Sequence, residues 1–323
     1  MNNHIRIIDM AIGEVIDGFY ILSDAKLRKS RNDSPYLCAK LTDASGSIDA
    51  RFWDYAGYIM EDGTGEVVHI RGTVGAYNER KQLMLNEIRF ITHEESLHMT
   101  LSELVPHAPI PADQLFGRLE AFVESIVDKE CRSICNYFLG CYSPAILKTP
   151  AAKSIHHGFV HGWLMHTVSM LNAADAIACQ YPNIDRDLLM TGVFLHDIGK
   201  FREFELSQYG LVTDYSREGQ LIGHPVLGVL LLLEAAEVQS VTGERLTLLA
   251  HMILSHHGSV EHGAVVTPAF AEAELLAHLD MMDARIEQYA EVTANMDPNT
   301  FSPYVYGLDK RIFHKVPVAE MEE

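Results

Sequence analysis

The sequence of 323 residues lacks any uncharged apolar run approaching the roughly 18–20 residues that a membrane-spanning helix needs. Its first residues, MNNHIRIIDMAIGE, carry acidic groups early and no long apolar stretch, so a secretory signal is not expected. The five cysteines are odd in number and have no C-x-x-C spacing, which favours reduced thiols over a disulfide framework. Together with the absence of repeats, these features predict a soluble cytoplasmic protein with no membrane partner.

Positive charge is also scarce, because 25 Lys/Arg stand against 44 Asp/Glu and give a net charge of −19. Such a balance argues against a protein that coats nucleic acid through bulk electrostatics. The deficit is uneven, since residues 1–95 hold 11 Lys/Arg against 15 Asp/Glu and the remainder holds 14 against 29. Histidine is unevenly placed as well, with 11 of the 17 between His156 and His278. This concentration is the first indication of a metal site, because imidazole is the commonest metal-ligating side chain.

Residues 14–93 contain five β-rich segments of similar length, separated by turn sequences such as NDSP, DASG and EDGTG. Five strands in about 80 residues favour a small closed barrel, with an OB-fold as the first interpretation. An immunoglobulin-like sandwich is the alternative, but it usually needs about seven strands.

The chain after the strands reads as a proline-containing linker followed by helices. Pro106, Pro109 and Pro111 surround the sequence HAPIPAD. Pro268 is expected in the first turn of the last helix. Helical spacing of apolar residues predicts helices over 113–140, 162–181, 186–196, 225–238, 244–255 and 268–292. The predicted fold class is therefore a multi-domain chain, with an all-β OB-fold barrel in residues 1–95, a linker and connecting helix in 96–140, and an all-α helical bundle in 141–323.

The helical part carries a set of histidines and aspartates at or near predicted helix ends or core-facing positions. A helical bundle can bring such scattered positions together on its axis. Neutral imidazoles bind first-row divalent cations, and carboxylates offset the positive charge and can bridge two ions. Two ions close together stabilise the attacking and leaving oxygens of a phosphoryl displacement. The candidate ligands are His166, His196, Asp197, His224, His256, His257 and Asp280.

These segments resemble the HD-domain superfamily of metal-dependent phosphohydrolases, which is defined by the order H…HD…D. Their extra histidines resemble the subset that binds two metals. More closely, HHGFVHGWLMHT, LLMTGVFLHDIGKFREF, REGQLIGHPVLG, ILSHHGSVEHGAVVTPAFAEAELLAHLDMMDA and the C-terminal GLDKRIFHK resemble the YhaM-type 3′→5′ exoribonucleases. That family joins an N-terminal OB-fold to an HD domain, so the resemblance covers nearly the whole chain and implies an HD domain in 141–323.

The resemblance implies a role for each matching residue. His166, His196, Asp197 and Asp280 would bind the first ion, His224 and His256 the second, with Asp197 bridging. The implied catalytic residues are Asp197, Lys200 near a phosphate oxygen or the water, and His157 near the substrate phosphate.

Residues beside these ligands have other expected roles. Asp283 lies one helical turn beyond Asp280 and is expected to support the site or form a salt bridge. His257 is expected to point elsewhere on a helix. The chain departs from the family at His161, where a small residue is more usual, and at Met165, where the family has an acid.

The predicted barrel offers basic and aromatic residues for a single strand, which OB-folds bind with stacking platforms and a basic groove. Phe52 and Trp53 are adjacent on a strand and must point to opposite faces of the sheet. The candidate nucleic-acid-binding residues are Lys26, Arg28, Lys29, Arg31, Arg51 and Trp53.

The resulting hypothesis is a 3′-5′ exoribonuclease that hydrolyses single-stranded RNA to nucleoside 5′-monophosphates with two divalent metal ions. Mn²⁺ is the first candidate, with Mg²⁺, Fe²⁺, Co²⁺ or Ni²⁺ as alternatives, and single-stranded DNA is an alternative substrate because no motif reads a 2′-hydroxyl. A homo-oligomer is expected from the resemblance. Two other functions stay open: an HD phosphohydrolase acting on a small nucleotide or cyclic dinucleotide, and a nucleic-acid-binding protein without activity.

Overall fold

The structure is a computed structural model that describes residues 4–30, 32–55, 57, 64–77, 80–96, 101–152, 158–294 and 296–316. It forms two compact units. One comprises Met1–Pro109 with Phe204–Tyr215, and the other comprises Ile110–Glu203 with Ser216–Glu323. The sequence predicts functional domain boundaries after residues 95 and 140, and the compact helical unit includes residues 110–140.

The first unit is built on a closed barrel of five strands in the order β1-β2-β3-β5-β4. Only the β3–β5 pair is parallel, and the other strand pairs of the barrel are antiparallel. Alternating apolar side chains fill the interior, among them Tyr20, Leu37 and Leu83. This arrangement confirms the predicted OB-fold barrel, and the immunoglobulin-like alternative is wrong. The strands are β1 Val15–Lys29, β2 Pro35–Asp43, β3 Gly46–Trp53, β4 Val67–Tyr77 and β5 Arg80–Phe90.

The second unit is helical, and its core contains Phe138, Trp163 and Phe194. No helix in the described part of the chain has the length and apolar character that crossing a membrane requires. The short helices α1 His93–Ser96 and α2 Leu101–Leu104 precede this unit. Its helices are α3 Ala112–Ser125, α4 Lys129–Cys141, α5 Ser143–Lys148, α6 Gly162–Gln180, α7 Arg186–Leu195, α8 Lys200–Glu203, α9 Arg217–Ile222, α10 His224–Gln239, α11 Glu244–Ser255 and α12 Ala271–Thr293.

Two helix predictions need correction. The single helix predicted over 113–140 is two helices, because Ile126 is extended and Asp128 caps the N-terminus of α4 by accepting a hydrogen bond from the Cys131 N–H. Pro268 does not lie in the first turn of the last helix, since α12 begins at Ala271 after an extended Phe270.

A two-stranded hairpin of β6 Phe204–Leu206 and β7 Val212–Tyr215 interrupts the helical sequence and belongs to the barrel unit. Gln208 Nε2 donates a 2.9 Å hydrogen bond to Glu66 Oε2 on the barrel. Gly65 has a φ of +87°, and a Cβ there would lie 2.6 Å from Thr213 Cγ2, so this contact requires glycine. The sequence did not predict the hairpin, because strands of three or four residues are too short to show alternation.

Candidate metal centre and nucleic-acid interface

Two histidines of the centre, His196 and His256, directly follow the C-termini of α7 and α11. The last carbonyls of a helix lack an intrahelical partner, and each imidazole donates to one of them. His196 Nδ1 lies 2.7 Å from the oxygen of Val193, and His256 Nδ1 lies 2.7 Å from that of Ile253. Both hydrogen bonds connect a histidine to the carbonyl three residues earlier, so the same hydrogen-bond pattern orients both rings.

Two other histidines, His166 and His224, lie near the N-termini of α6 and α10 and are held by carboxylates. His166 Nδ1 lies 2.7 Å from Asp283 Oδ2. His224 Nδ1 lies 3.0 Å from Glu203 Oε1, which also accepts the backbone N–H of His224 at 2.9 Å. Glu203 therefore caps the N-terminus of α10 while it fixes the ring.

All four rings consequently share one tautomer. A carbonyl or an ionised carboxylate only accepts hydrogen bonds, so each Nδ1 must carry the hydrogen. In the neutral ring, Nε2 then has a free lone pair, which is the ligand that a metal ion needs. His224 Nε2 and His256 Nε2 face each other at 3.4 Å, and two lone pairs cannot bond to one another. A cation between them would satisfy both.

Asp197 lies at the middle of this set and is almost completely buried. Its Oδ2 is 3.3 Å from His196 Nε2 and 2.5 Å from Lys200 Nζ. Its Oδ1 is 3.5 Å from His224 Nε2 and 3.8 Å from His256 Nε2. One carboxylate therefore presents one oxygen to each half of the centre, which is the arrangement of a bridging ligand.

Asp280 and Asp283 both lie on α12 and face His166 from two sides. Asp280 Oδ1 is 3.2 Å from His166 Nε2, while Asp283 contacts Nδ1 of the same ring. Ser169 donates a hydrogen bond to the second oxygen of Asp283. Asp280 is thus placed to share a cation with His166, and Asp283 is placed to orient the ring.

The charge states of His256, His257 and Asp197 favour metal binding. Burial lowers the pKa of His256 well below its usual range, and burial with nearby His224 also lowers the pKa of His257. Both rings are therefore neutral at physiological pH. Burial alone would raise the pKa of Asp197, but Lys200 and His196 outweigh it and hold this pKa well below its usual range.

The donor set fits two cations. The side chains of His166, His196 and Asp197 offer ligand atoms within 4.8 Å of one another, and so do those of His224, His256 and His257. Two donor atoms that bind the same ion at about 2.1 Å lie about 3.0–3.4 Å from each other. The distances between the histidine nitrogens and aspartate oxygens given above are similar. Among the described residues, His196 Nε2 and Asp197 Oδ1 are buried without a hydrogen-bond partner, which a cation would provide.

His257 lies in the second donor group, contrary to the expectation that it points elsewhere. Its ring centroid is 4.1 Å from that of His256 and 5.1 Å from that of His224. The expectation assumed continuous helical spacing, but α11 ends at Ser255 and frees both histidines from it. His157 lies outside the described residues, so its expected role stays a prediction. His161 contacts the oxygen of Leu147 through Nδ1 just before α6.

Gly199 explains how the H-D pair comes so close to α10. A Cβ on this residue would lie 2.0 Å from the backbone oxygen of His224 and 2.7 Å from the nitrogen of Gly228. No side chain fits in that space, so the backbone after Asp197 can pass directly against the start of α10. The glycine of the motif thereby sets the distance between Asp197 and His224.

On the barrel, strand register gathers most of the candidate nucleic-acid-binding residues on one outer face. Lys26 pairs with Cys38 and Cys38 with Arg51, while Arg28 pairs with Tyr36 and Tyr36 with Trp53. Directly paired residues point to the same side of a sheet, so these two rows are neighbours. We call Lys26, Arg28, Tyr36, Arg51 and Trp53 the barrel face.

The aromatic rings of the barrel face form a platform. Tyr36 and Trp53 stack with ring centroids 4.7 Å apart, and the Arg51 guanidinium lies 5.4 Å above Tyr36. Trp53 remains 47% exposed, whereas Phe52 packs against the barrel core, so the prediction of opposite faces is confirmed. An exposed ring beside arginine is suited to stack a nucleic-acid base.

Two other basic candidates do not join this face. Lys29 points to the opposite side of β1 and pairs with Asp33 at 2.9 Å. Arg31 lies outside the described residues. Lys26 shares the face but contacts Asp24 at 3.3 Å, in an exposed pair that contributes little energy.

Sequence reasoning did not single out two residues that the structure brings into these sites. Glu203 is 21 residues from His224, and no local pattern links a carboxylate to a histidine over that separation. Tyr36 could have been found, because strand alternation places it on the same side as Cys38 and the register then pairs it with Trp53.

Residues 163–285 match the HD domain family, and all of this range except the hairpin at 204–215 lies in the helical unit. The chain is 35% identical over 320 residues to the 3′-5′ exoribonuclease YhaM of Listeria monocytogenes serotype 4b (strain CLIP80459), covering 98% of this chain and 99% of the relative. It is 34% identical over 313 residues to the protein of that name in Bacillus subtilis (strain 168), covering 94% and 96%. Among solved structures, the second OB-fold domain of replication protein A from Methanococcus maripaludis is 16% identical, with 27% of this chain and 93% of that chain covered and a TM-score of 0.20.

The contact between His166 and Asp283 predicts that Asp283→Asn weakens metal binding. The amide keeps the shape of the carboxylate but carries no charge, so His166 becomes a poorer ligand. We expect the Kd for Mn²⁺, measured by calorimetry, to rise about 10- to 100-fold. Glu274→Gln is the matched control, because this exposed carboxylate lies on the same helix beside exposed His278. Equal Kd values for the two variants would show that Asp283 does not support the metal site.

Metal affinity is expected to fall as pH decreases. Burial lowers the pKa of His166, but hydrogen bonds to Asp280 and Asp283 outweigh it and raise the pKa to about 9. Below that pH the ring is protonated, and one proton must leave before Nε2 binds a cation. Affinity for Mn²⁺ should therefore drop about tenfold per pH unit, with about one proton released per site in calorimetry with buffers of different ionisation enthalpy. A flat affinity between about pH 6.5 and about pH 8 would contradict this.

Proposed function

Because the chain belongs to the YhaM family of 3′-5′ exoribonucleases, we propose that it shortens single-stranded RNA from the 3′ end by two-metal phosphodiester hydrolysis. The chain is an enzyme, a hydrolase with an HD domain, and its family implies dependence on divalent metal ions. The observation that carries the finer proposal is the position of Asp197, whose two oxygens face two separate groups of metal-type donors.

We assign His166, His196, Asp197 and Asp280 to the first cation. Asp197, His224 and His256 would hold the second, and His257 adds a donor that the resemblance did not imply. Mn²⁺ is our first candidate for both, since mixed imidazole and carboxylate ligands suit it, with Mg²⁺, Fe²⁺, Co²⁺ or Ni²⁺ as alternatives. When bound, two such ions lower the pKa of water and stabilise charge on the attacking and leaving oxygens.

The protein residues would orient the reaction. Asp197, fixed by Lys200, holds the two halves of the centre at a constant separation. Lys200 is buried beside Asp197, and burial lowers its pKa while Asp197 outweighs this effect and raises it, so its ammonium stays charged near the scissile phosphate. Water attacks phosphorus, the bond from phosphorus to the 3′-oxygen of the neighbouring nucleotide breaks, and a nucleoside 5′-monophosphate leaves. His157 remains our candidate for a contact with the substrate phosphate.

The barrel face supports a strand as substrate. Its stacked Tyr36 and Trp53 provide an aromatic surface, and Arg28 and Arg51 provide positive charge in an acidic protein. An enzyme for a small nucleotide or a cyclic dinucleotide has no need of such a surface. The complete donor set likewise supports catalysis over a binding protein without activity.

Further predictions accompany this proposal. Single-stranded DNA is a second candidate substrate, because stacking does not require a 2′-hydroxyl. Self-association is supported by exposed apolar side chains on α10 and α12, such as Leu233 and Ile286. A cytoplasmic location and functional domains bounded near residues 95 and 140 are further predictions.

The exonuclease proposal predicts that a 5′-labelled single-stranded RNA shortens stepwise from its 3′ end in the presence of Mn²⁺. Removing the metals with a chelator should stop the reaction, and Asp197→Asn should slow it at least about a hundredfold, because both donor groups lose their shared carboxylate. The rate is measured by gel electrophoresis, with Glu274→Gln as the control. If intact RNA persists while mononucleotides or cyclic dinucleotides are hydrolysed, the enzyme is a small-nucleotide phosphohydrolase. If activity survives Asp197→Asn in metal-controlled buffer, the assigned centre is wrong.

The barrel face predicts a separate effect on substrate binding. Trp53→Ala should raise KM for RNA of about 20 nucleotides by about tenfold, since stacking contributes about 1–3 kcal/mol per base, while kcat changes little. Phe90→Ala, which removes another exposed ring of the barrel, is the control. A KM unchanged by Trp53→Ala, or matched by the control, would remove this face from the substrate path.

A further inference from the structure

The C-terminal segment 299–314 folds back on itself as a short hairpin, which we call the C-terminal hairpin. Its two arms are joined by backbone hydrogen bonds of 2.8 Å from Ser302 N–H to Ile312 oxygen and from Val305 N–H to Lys310 oxygen. Ser302, Leu308 and Ile312 are buried on its inner side. The hairpin is therefore an ordered part of the helical unit with a defined inner and outer face.

The exposed surface of the hairpin, which we call its outer face, carries four large aromatic rings. Phe301 is 59% exposed, Tyr304 49%, Tyr306 90% and Phe313 46%. The rings form two pairs, Phe301 with Phe313 at 5.1 Å and Tyr304 with Tyr306 at 5.3 Å between centroids. Exposing four large rings in so short a segment loses the free energy that burying them would contribute, so a partner is the natural explanation.

The hairpin also carries an excess of positive charge, in a protein that is strongly negative. Between residues 299 and 316 there are three Lys/Arg and one Asp, whereas the whole chain has a net charge of −19. Lys310, Arg311 and Lys315 are exposed, and the Arg311 guanidinium lies 5.5 Å from the centre of the Phe301 ring. Exposed rings combined with positive charge fit a single-stranded polyanion with flat bases.

The hairpin packs against the helix that carries the metal-facing aspartates. Gly307 contacts Gln288 on α12, with Gln288 Oε1 3.5 Å from the position of a Cβ, and His314 donates to the Met296 oxygen at 2.8 Å. Gln288 follows Asp280 by eight residues, or about 12 Å along the helix axis. At about 3.4 Å per nucleotide of a stacked strand, this corresponds to about three or four nucleotides.

We propose that the outer face of the C-terminal hairpin is a second contact surface for single-stranded RNA, upstream of the 3′ end that the metal centre cleaves. Phe301 and Tyr306 would stack bases, and Lys310 and Lys315 would lie near phosphates. This inference rests on the proposed function, because it requires a strand whose terminal phosphodiester lies at the metal centre.

A second copy of the chain is the competing occupant. Its acidic surface would match the positive charge, but lysine is depleted at the core of protein interfaces, and this hairpin exposes two lysines. A single strand of RNA can contact aromatic side chains through its bases and lysines through its phosphates. The two occupants also predict different measurements.

The proposal is tested with the full-length enzyme and 5′-labelled RNAs of about 3 to about 20 nucleotides. Tyr306→Ala, and the double variant Phe301→Ala/Tyr306→Ala, should raise KM by about tenfold or more for the long RNAs, and the increase should grow with RNA length. Tyr181→Ala is the matched control, because this tyrosine is equally part of the helical unit and 56% exposed at the far end of α6. The control should retain wild-type KM at every length.

A second measurement does not depend on a substitution. RNA that carries 5-iodouridine about four nucleotides from the 3′ end and a non-hydrolysable analogue of the terminal phosphodiester is irradiated with the Mn²⁺-loaded enzyme, and mass spectrometry locates the cross-link. We expect the cross-link on the peptide that contains Phe301 to Tyr306. Cross-links confined to other peptides, or the same KM for Tyr306→Ala and Tyr181→Ala, would overturn the inference.

The outcomes separate this inference from the proposed function. If the wild-type enzyme leaves RNA intact, the exonuclease proposal itself has failed. If it degrades RNA but the hairpin variants match the control, only the second contact surface is wrong. If the hairpin variants change oligomeric state in light scattering while KM stays the same, the face is a contact between copies of the chain.

Discussion

Each of four imidazoles donates its Nδ1 hydrogen to a fixed acceptor, and the metal centre depends on that bond. Two of the acceptors are carbonyls at helix C-termini, and the other two are the carboxylates of Asp283 and Glu203. Since a ring that donates through Nδ1 presents Nε2 as a lone pair, the four bonds set both the direction and the chemistry of the ligands. The helix packing of this unit brings those four anchored rings around the carboxylate of Asp197.

Different groups would offset the charge of RNA on the surface and at the metal centre. The chain is acidic overall, so it does not attract RNA along its whole surface. Positive charge is instead concentrated beside exposed rings, on the barrel face and on the outer face of the C-terminal hairpin. Such pairing favours unpaired bases over duplex, since a base inside a duplex has no free face to stack on a ring. At the centre, cations bound by neutral imidazoles and ionised aspartates would offset the phosphate charge.

Much of the fold follows from local patterns, and the exceptions have physical reasons. β-rich segments separated by turn sequences predicted five barrel strands, and most of the histidines and aspartates singled out from the sequence lie close together in the structure. Apolar spacing continued across Ile126, so the break between α3 and α4 was missed. Helical spacing was wrongly extended past Ser255, which misplaced His257. Glu203 was missed because its hydrogen bond to His224 depends on how α8 and α10 pack. The spacing of residues along the chain does not predict that packing.

The facing nitrogens of His224 and His256 have a consequence for the life of the protein in a cell. Two lone pairs held 3.4 Å apart in a buried site repel one another unless a cation lies between them. A bound ion therefore stabilises the folded chain over the unfolded one, by an amount that grows with the free metal concentration. If the proposed centre binds metal, scarcity of metal would open the chain more often and expose it to proteases, so its abundance would fall along with its turnover rate. Metal supply would thus set the cell's capacity for this reaction through protein lifetime as well as through catalysis.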